Sequence, residues 1–166
     1  MISEPPVRGR PCFPKGTCVG ISLVLLLSVV AGTGMAAERM AADVAEQWGL
    51  VGSWAVDCQR PPARGNPHYR YVRQGGTLMV QRDVGDFRDE NKVTSAAITD
   101  DGGIELVTDF KALSHVITSR YAKSNANQFR AMSNKDEKNV YSALDGKLRS
   151  GVPTPMMSRC SKADKE

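Results

Sequence analysis

The sequence predicts an all-β protein: an antiparallel meander of about eight or nine short strands forming a small barrel or half-barrel, with a short N-terminal helix. Three observations predict it. Turn chemistry recurs at close intervals, at Gln74-Gly75-Gly76-Thr77, Asp100-Asp101-Gly102-Gly103 and Asp145-Gly146. The segments between the turns are short and alternate in polarity. In residues 104–110, Ile104, Leu106 and Phe110 fall on one face and Glu105 and Asp109 on the other, as a strand with one buried and one wet face requires. Finally, no long helical period separates the strands, which argues against a parallel βαβ arrangement.

Taken in order, residues 41–48 (AADVAEQW) favour a helix of one or two turns through Ala, Glu and Gln, and Gly49 stops it. Residues 53–57 (SWAVD) read as the first strand, and 59–67 (QRPPARGNP) as a loop that neither helix nor central strand can cross. Strands at 68–73 and 78–82 make a hairpin across two glycines, and strands at 93–99 and 104–110 make a second across Asp-Asp-Gly-Gly. Three further candidates follow at 115–121, 128–132 and 140–144, the last turning at Asp145-Gly146 into 147–152. Closing such a meander on itself removes its exposed edges. The charged end, 161–166, is expected to fray.

Ahead of this single domain, 38–160, lies a leader. Arg8, Arg10 and Lys15 precede an apolar stretch from Val19 to Ala31, and small residues follow at Gly32, Gly34, Ala36 and Ala37. That is the order of a secretory signal peptide, residues 1–37, with cleavage expected after Ala36 or Ala37. The alternative is an uncleaved anchor from Val19 to Ala37, just long enough to span a bilayer of ~30 Å. A lipid anchor would need a cysteine directly after the apolar stretch, and Cys12 and Cys18 both precede it. After cleavage no stable membrane span remains, and the expected location is periplasmic or secreted.

Removing the leader changes the electrostatics. Of 22 basic and 18 acidic residues, three and one lie in 1–37, which leaves 19 against 17 and a net charge of +2. Arg60, Arg64, Arg70 and Arg73 cluster, but Asp83, Asp86, Asp89 and Glu90 follow closely, so a solvated surface is the better reading than a nucleic-acid site. The cysteines sharpen likewise: without Cys12 and Cys18, only Cys58 and Cys160 remain. In an oxidising compartment an even pair reads as a disulfide, here one tying the two ends of the domain together. The alternative, two separate metal or redox thiols, lacks both a C-x-x-C spacing and a nearby histidine pair.

Gly52-Ser53-Trp54, opening the first strand after a short helix, resembles the G-x-W signature of lipocalin-type barrels. The resemblance implies that Trp54 closes one end of the barrel and packs against a basic residue of the last strand, for which Arg149 and Arg159 are the candidates. The usual mature length in that superfamily is greater than this chain's. A wider likeness runs through residues 48–58 (WGLVGSWAVDC), Asn66-Pro67-His68 and the ending 154–160 (TPMMSRC). These strings are similar to those of a group of small secreted bacterial proteins. That likeness covers both ends of the mature domain and carries over a signal peptide and the cysteine pair, but no catalytic residue.

Candidate chemistry is sparse. His68 and His115, the 2 histidines, lie on different expected strands, so a metal site would need carboxylates converging from elsewhere. Ser114-His115 lacks the G-x-S-x-G of a nucleophile elbow, and pairs of acids can be drawn from the sequence at will. Met79, Met132, Met156 and Met157 read as core gap-fillers rather than soft-metal ligands. No phosphate-binding glycine motif is present, so no cofactor is expected. Three function classes remain. The leading one is a secreted barrel that binds a small apolar ligand or an envelope protein without catalysis; its small-ligand form requires a pocket of roughly 300 Å³ or more. The second is a protease-inhibitor-like or envelope assembly protein that inserts residues 38–48 into a partner. The third is an enzyme, which needs histidine or carboxylate pairs gathered in a cleft.

Overall fold

The computed structural model describes residues 33–161. The expected leader up to residue 32 and the charged end from residue 162 lie outside the described residues. Helix α1 (Thr33–Trp48) has 16 residues, longer than the one or two turns expected. Ala36 and Ala37, which read as a processing site, are also strong helix formers, and the helix runs through them. Its buried stripe is Ala41, Ala42, Ala45 and Trp48, while Asp43, Glu46 and Gln47 face outward. The helix ends in a Schellman turn. Gly49 takes φ +82° and donates to Glu46 O at 2.8 Å, and Leu50 donates to Ala45 O at 2.8 Å before burying its own side chain.

Ten strands follow among the described residues: β1 (Gly52–Ala55), β2 (His68–Gln74), β3 (Thr77–Asp83), β4 (Arg88–Ile98), β5 (Ile104–Phe110), β6 (His115–Asn125), β7 (Gln128–Asp136), β8 (Tyr141–Leu144), β9 (Lys147–Leu148) and β10 (Met156–Cys160). Each pairs antiparallel with the next from β1 to β9, and β10 pairs with both β1 and β7. The result is a closed eight-stranded barrel of β1–β7 and β10, with the β8–β9 hairpin carried outside it. Opposite its edge with β6, strand β7 serves two further neighbours. Gln128–Arg130 pair with β10, and Asn134 and Lys135 pair with β8. Irregularities in register at Val93/Ser95, Arg120/Tyr121 and Lys123/Asn125 bend β4, β6 and β7.

Several boundaries differ from those expected, each for a physical reason. The segment 147–152 is a strand for two residues only, because Gly151, at φ +82°, donates back to Leu148 O at 2.8 Å and turns the chain. The strand that closes the barrel, β10, is absent from the strands that turns and alternation give, because Pro153 and Pro155 precede it and its five residues carry no clear alternation. Strand β4 begins at Arg88, not at residue 93, since its polar residues Asp89 and Asn91 turn inward. Asp57 lies outside β1, where its carboxylate accepts the Gln59 N–H at 3.0 Å.

The barrel has two unlike ends. At one, α1 packs across β3 and β4 and the interior is filled by Leu50, Trp54, Leu78, Val93, Ile104, Leu106 and Phe129, each at most 1% exposed. Phe129 sits at the centre, its ring 4.7 Å from Trp54, 5.1 Å from Tyr121 and 6.0 Å from Trp48 in tilted or edge-on contacts. The other end is lined by side chains of quite different character.

Candidate functional site

The register places Trp54, Tyr69, Arg82 and Asp89 side by side across β1 to β4, on one inward-facing row. At the packed end of this row, Trp54 donates its indole N–H to Leu50 O at 2.7 Å. The Arg159 guanidinium lies over the Trp54 ring, 4.5 Å from its centroid, and donates to Val51 O at 3.1 Å and to Gly49 O. Lys123 covers the Trp48 ring at 4.3 Å and donates to Trp48 O, so two cations satisfy the carbonyls left open where α1 ends. Of the two basic candidates, Arg159 is the one on the last strand beside Trp54. Arg149 is exposed and donates instead to Tyr141 O at 2.5 Å. Gly52 is held at φ +139°, and a Cβ built there would lie 2.8 Å from the Arg159 guanidinium, so a side chain at this position collides with the clamp.

Toward the open end the row becomes polar. Arg82 grips Asp89 with two parallel bonds, Nε to Oδ1 at 2.8 Å and Nη2 to Oδ2, and its plane rests on Phe110, 4.1 Å from the ring centroid. The Asp89 side chain is 8% exposed and that of Arg82 20%. Burial raises the Asp89 carboxyl's proton affinity, but the Arg82 bonds and charge outweigh it and hold the pKa below the usual carboxylate range. Burial pushes the Tyr69 phenol up to about 12 and raises that of Tyr71, whose hydroxyl lies 3.4 Å from that of Tyr121.

Above these groups lies a cavity of about 310 Å³. Its wall combines Val80, Phe110, Leu113 and Ile117 with Tyr69, Tyr71 and Tyr121, the hydroxyls of Thr108, Ser119 and Ser142, the amide of Asn134 and the Arg82 guanidinium. Thr108 and Ser119 point inward because they sit two residues along from Leu106 and Tyr121 on strands whose alternate positions face the core. The amide Oδ1 of Asn134 is closed off from solvent and has no hydrogen-bond partner. The Asn91 carboxamide, 1% exposed, lies near enough to Asp89 to favour its charged form but completes no hydrogen bond.

A second depression, about 430 Å³, runs along the outer wall of β1–β4 beside the 57–66 loop. Within it Arg88 pairs with Asp83 at 2.6 Å, Gln81 donates to Glu90 at 2.7 Å, and Arg70 also lines the groove. The loop itself is pinned by Asn66, whose amide nitrogen reaches Asp57 O, Arg60 O and Pro61 O at 3.1 Å and whose Oδ1 accepts the Asp57 N–H at 2.8 Å. Cys58 and Cys160 form a disulfide at the edge of this groove, with Cα atoms 5.4 Å apart.

The two histidines share no partner. His68 contacts Arg60 O at 3.0 Å and the Asn66 amide, whereas His115 pairs with Glu137 at 3.0 Å and holds that carboxyl below its ordinary range. Among the described residues no three metal-ligating side chains gather. Met157 is buried in the packed end, and Met156 accepts a contact from the Ser124 hydroxyl at 3.4 Å. Apart from Phe110, little in the sequence marks the residues that line the cavity. The one signal available for them was polar residues at inward positions of alternating strands, such as Arg82 two places after Val80. Among the described residues no helix is long and apolar enough to cross a membrane. No protein-family model, no curated protein and no solved structure matches this chain.

Proposed function

We propose that the protein is a secreted or periplasmic binding module that takes a small ligand with a largely apolar body into the open end of its barrel. One observation carries this reading: the barrel is packed solid at the helix-covered end and leaves a cavity of about 310 Å³ at the other. That volume lies at the small end of the ~300–1,000 Å³ range of ligand pockets, and the wall has their usual make-up, aromatic and aliphatic with a few convergent polar groups. The location is supported by the Cys58–Cys160 bond, which needs an oxidising compartment to persist. The inhibitor reading asks residues 38–48 to enter a partner's cleft. Against it stands the packing of α1, whose Ala42, Ala45 and Trp48 are part of the barrel's own core.

An envelope-protein partner is the second reading, favoured by the exposed Leu144, Leu148 and Val152 on and beside the β8–β9 hairpin. One experiment separates the two. An environment-sensitive naphthylamine dye is titrated into the wild type, into Ser119→Phe, which fills the cavity, and into the double variant Leu144→Asp/Leu148→Asp. Saturable binding lost only in Ser119→Phe supports the cavity. Binding unchanged in Ser119→Phe and lost in the hairpin variant moves the function to the outer surface and overturns the small-ligand reading.

A further inference from the structure

The polar groups in the upper barrel say what kind of ligand the cavity suits. Among the cavity-lining residues Arg82 alone carries a charge, and that charge is already matched by Asp89 and covered on one face by Phe110. An anion entering the cavity would lose its hydration and face a neutral pair whose carboxylate is itself 8% exposed. A cation would find no free carboxylate there, since both Asp89 oxygens are held by Arg82. The ligand that loses least on entry is therefore uncharged.

A second feature sets its polarity. Among the described residues the buried side-chain nitrogen and oxygen atoms without a partner belong to Asn91 and Asn134, both in the barrel wall. Asn134 lines the cavity, and the atom left over is its acceptor, Oδ1. An unsatisfied buried acceptor is costly, and a donor placed against it would recover that cost. The torsion that carries the Asn134 carboxamide is broad and two-fold, so turning the amide would offer Oδ1 to a donor in the cavity. Tyr69, Tyr121 and Phe110 line the cavity together, and aromatic walls suit an aromatic body beside it.

Resting on the cavity-binding reading, we infer that the ligand is an uncharged, flat, largely aromatic molecule that presents a hydroxyl or N–H donor to Asn134 Oδ1. The test uses three matched probes on the purified protein with its disulfide intact: naphthol, its methyl ether, and naphthoate. Calorimetry should rank naphthol about tenfold tighter than the ether, which lacks the donor, with naphthoate weakest. In Asn134→Leu the naphthol and ether affinities should converge, while Asn134→Asp, which keeps an acceptor of the same shape, should retain a preference for naphthol. Naphthoate binding as tightly as naphthol, or the ether matching naphthol in the wild type, overturns the inference but leaves the binding module standing. Should none of the three probes bind the wild type, the small-ligand function falls, and the ligand class with it. Wild-type ranking alone decides the matter if either variant fails to fold.

Discussion

Replacing both Cys58 and Cys160 with alanine should remove a large part of the protein's stability through its effect on the unfolded chain. The bond closes a loop of 102 residues. In the chain-entropy relation, cross-linking a loop of that length removes about 16 cal/mol/K from the unfolded ensemble, or about 4.7 kcal/mol at 25 °C. The native state changes little on removal, because strand pairing already sets Cys160 opposite Ser53 and holds β10 between β1 and β7. With an unfolding entropy of ~2.1 cal/mol/K per residue over roughly 120 ordered residues, the loss corresponds to a melting point lower by about 15–20 °C. Urea unfolding followed by circular dichroism measures it, with a second signature alongside. The m-value should rise, since an open chain exposes more surface than a cross-linked one. A double variant with a native spectrum, a loss under about 1.5 kcal/mol and an unchanged m-value would refute the reasoning, because it would show that the reduced chain is already confined.

Two further outcomes follow from the ends of the inward row. Gly52→Ala should destabilise by about 1–3 kcal/mol, since its Cβ meets the Arg159 guanidinium at 2.8 Å from a backbone at φ +139°; an unchanged urea midpoint would show that the clamp gives way freely. Asp89→Asn should cost roughly 2–4 kcal/mol at neutral pH, somewhat under the ~3–5 kcal/mol of a fully buried pair because Arg82 keeps some exposure. The folded pKa of Asp89 is depressed, so its contribution is complete above the unfolded value of ~3.9 and is lost as pH falls through the lower folded value. Unfolding free energy measured from pH 6 down to pH 2 should therefore fall more steeply in the wild type than in Asp89→Asn, and parallel curves would count against the pair.

Much of the barrel was legible because strands with one wet face announce themselves. Ile104–Phe110 was placed to the residue, and both Gly-rich hairpins were placed. The pairing of Cys58 with Cys160 followed from counting, and the basic partner of Trp54 was narrowed to two arginines before geometry chose Arg159. Two kinds of feature were hidden. Strand β10 has too few residues to show a period and owes its existence to partners about 100 and 30 positions away, Ser53 and Phe129 among them. The polar part of the barrel interior was hidden because Arg82, which lines the cavity, and its inward neighbours Asp89 and Asn91 look like surface residues in sequence; only the paired register brings Arg82 opposite Asp89. Likewise Asn134 lies past the point where its strand was expected to end, residue 132.

The double pairing of β10 also sets the order of events during synthesis. Strand β1 finds one of its two neighbours, β2, within some twenty residues, but the other is the last strand made. At ~5–20 residues per second the chain spends about 5–20 s between exposing Trp54 and supplying the Arg159 that covers it. Throughout that interval the meander has two open edges and an apolar inner face. Its folding is thus dominated by the most distant contact in the domain, which predicts slow closure and a period in which an escort that shields strand edges would raise the yield. A chain ending at Pro155 would lose far more than a tail: it would remain a sheet that never meets itself.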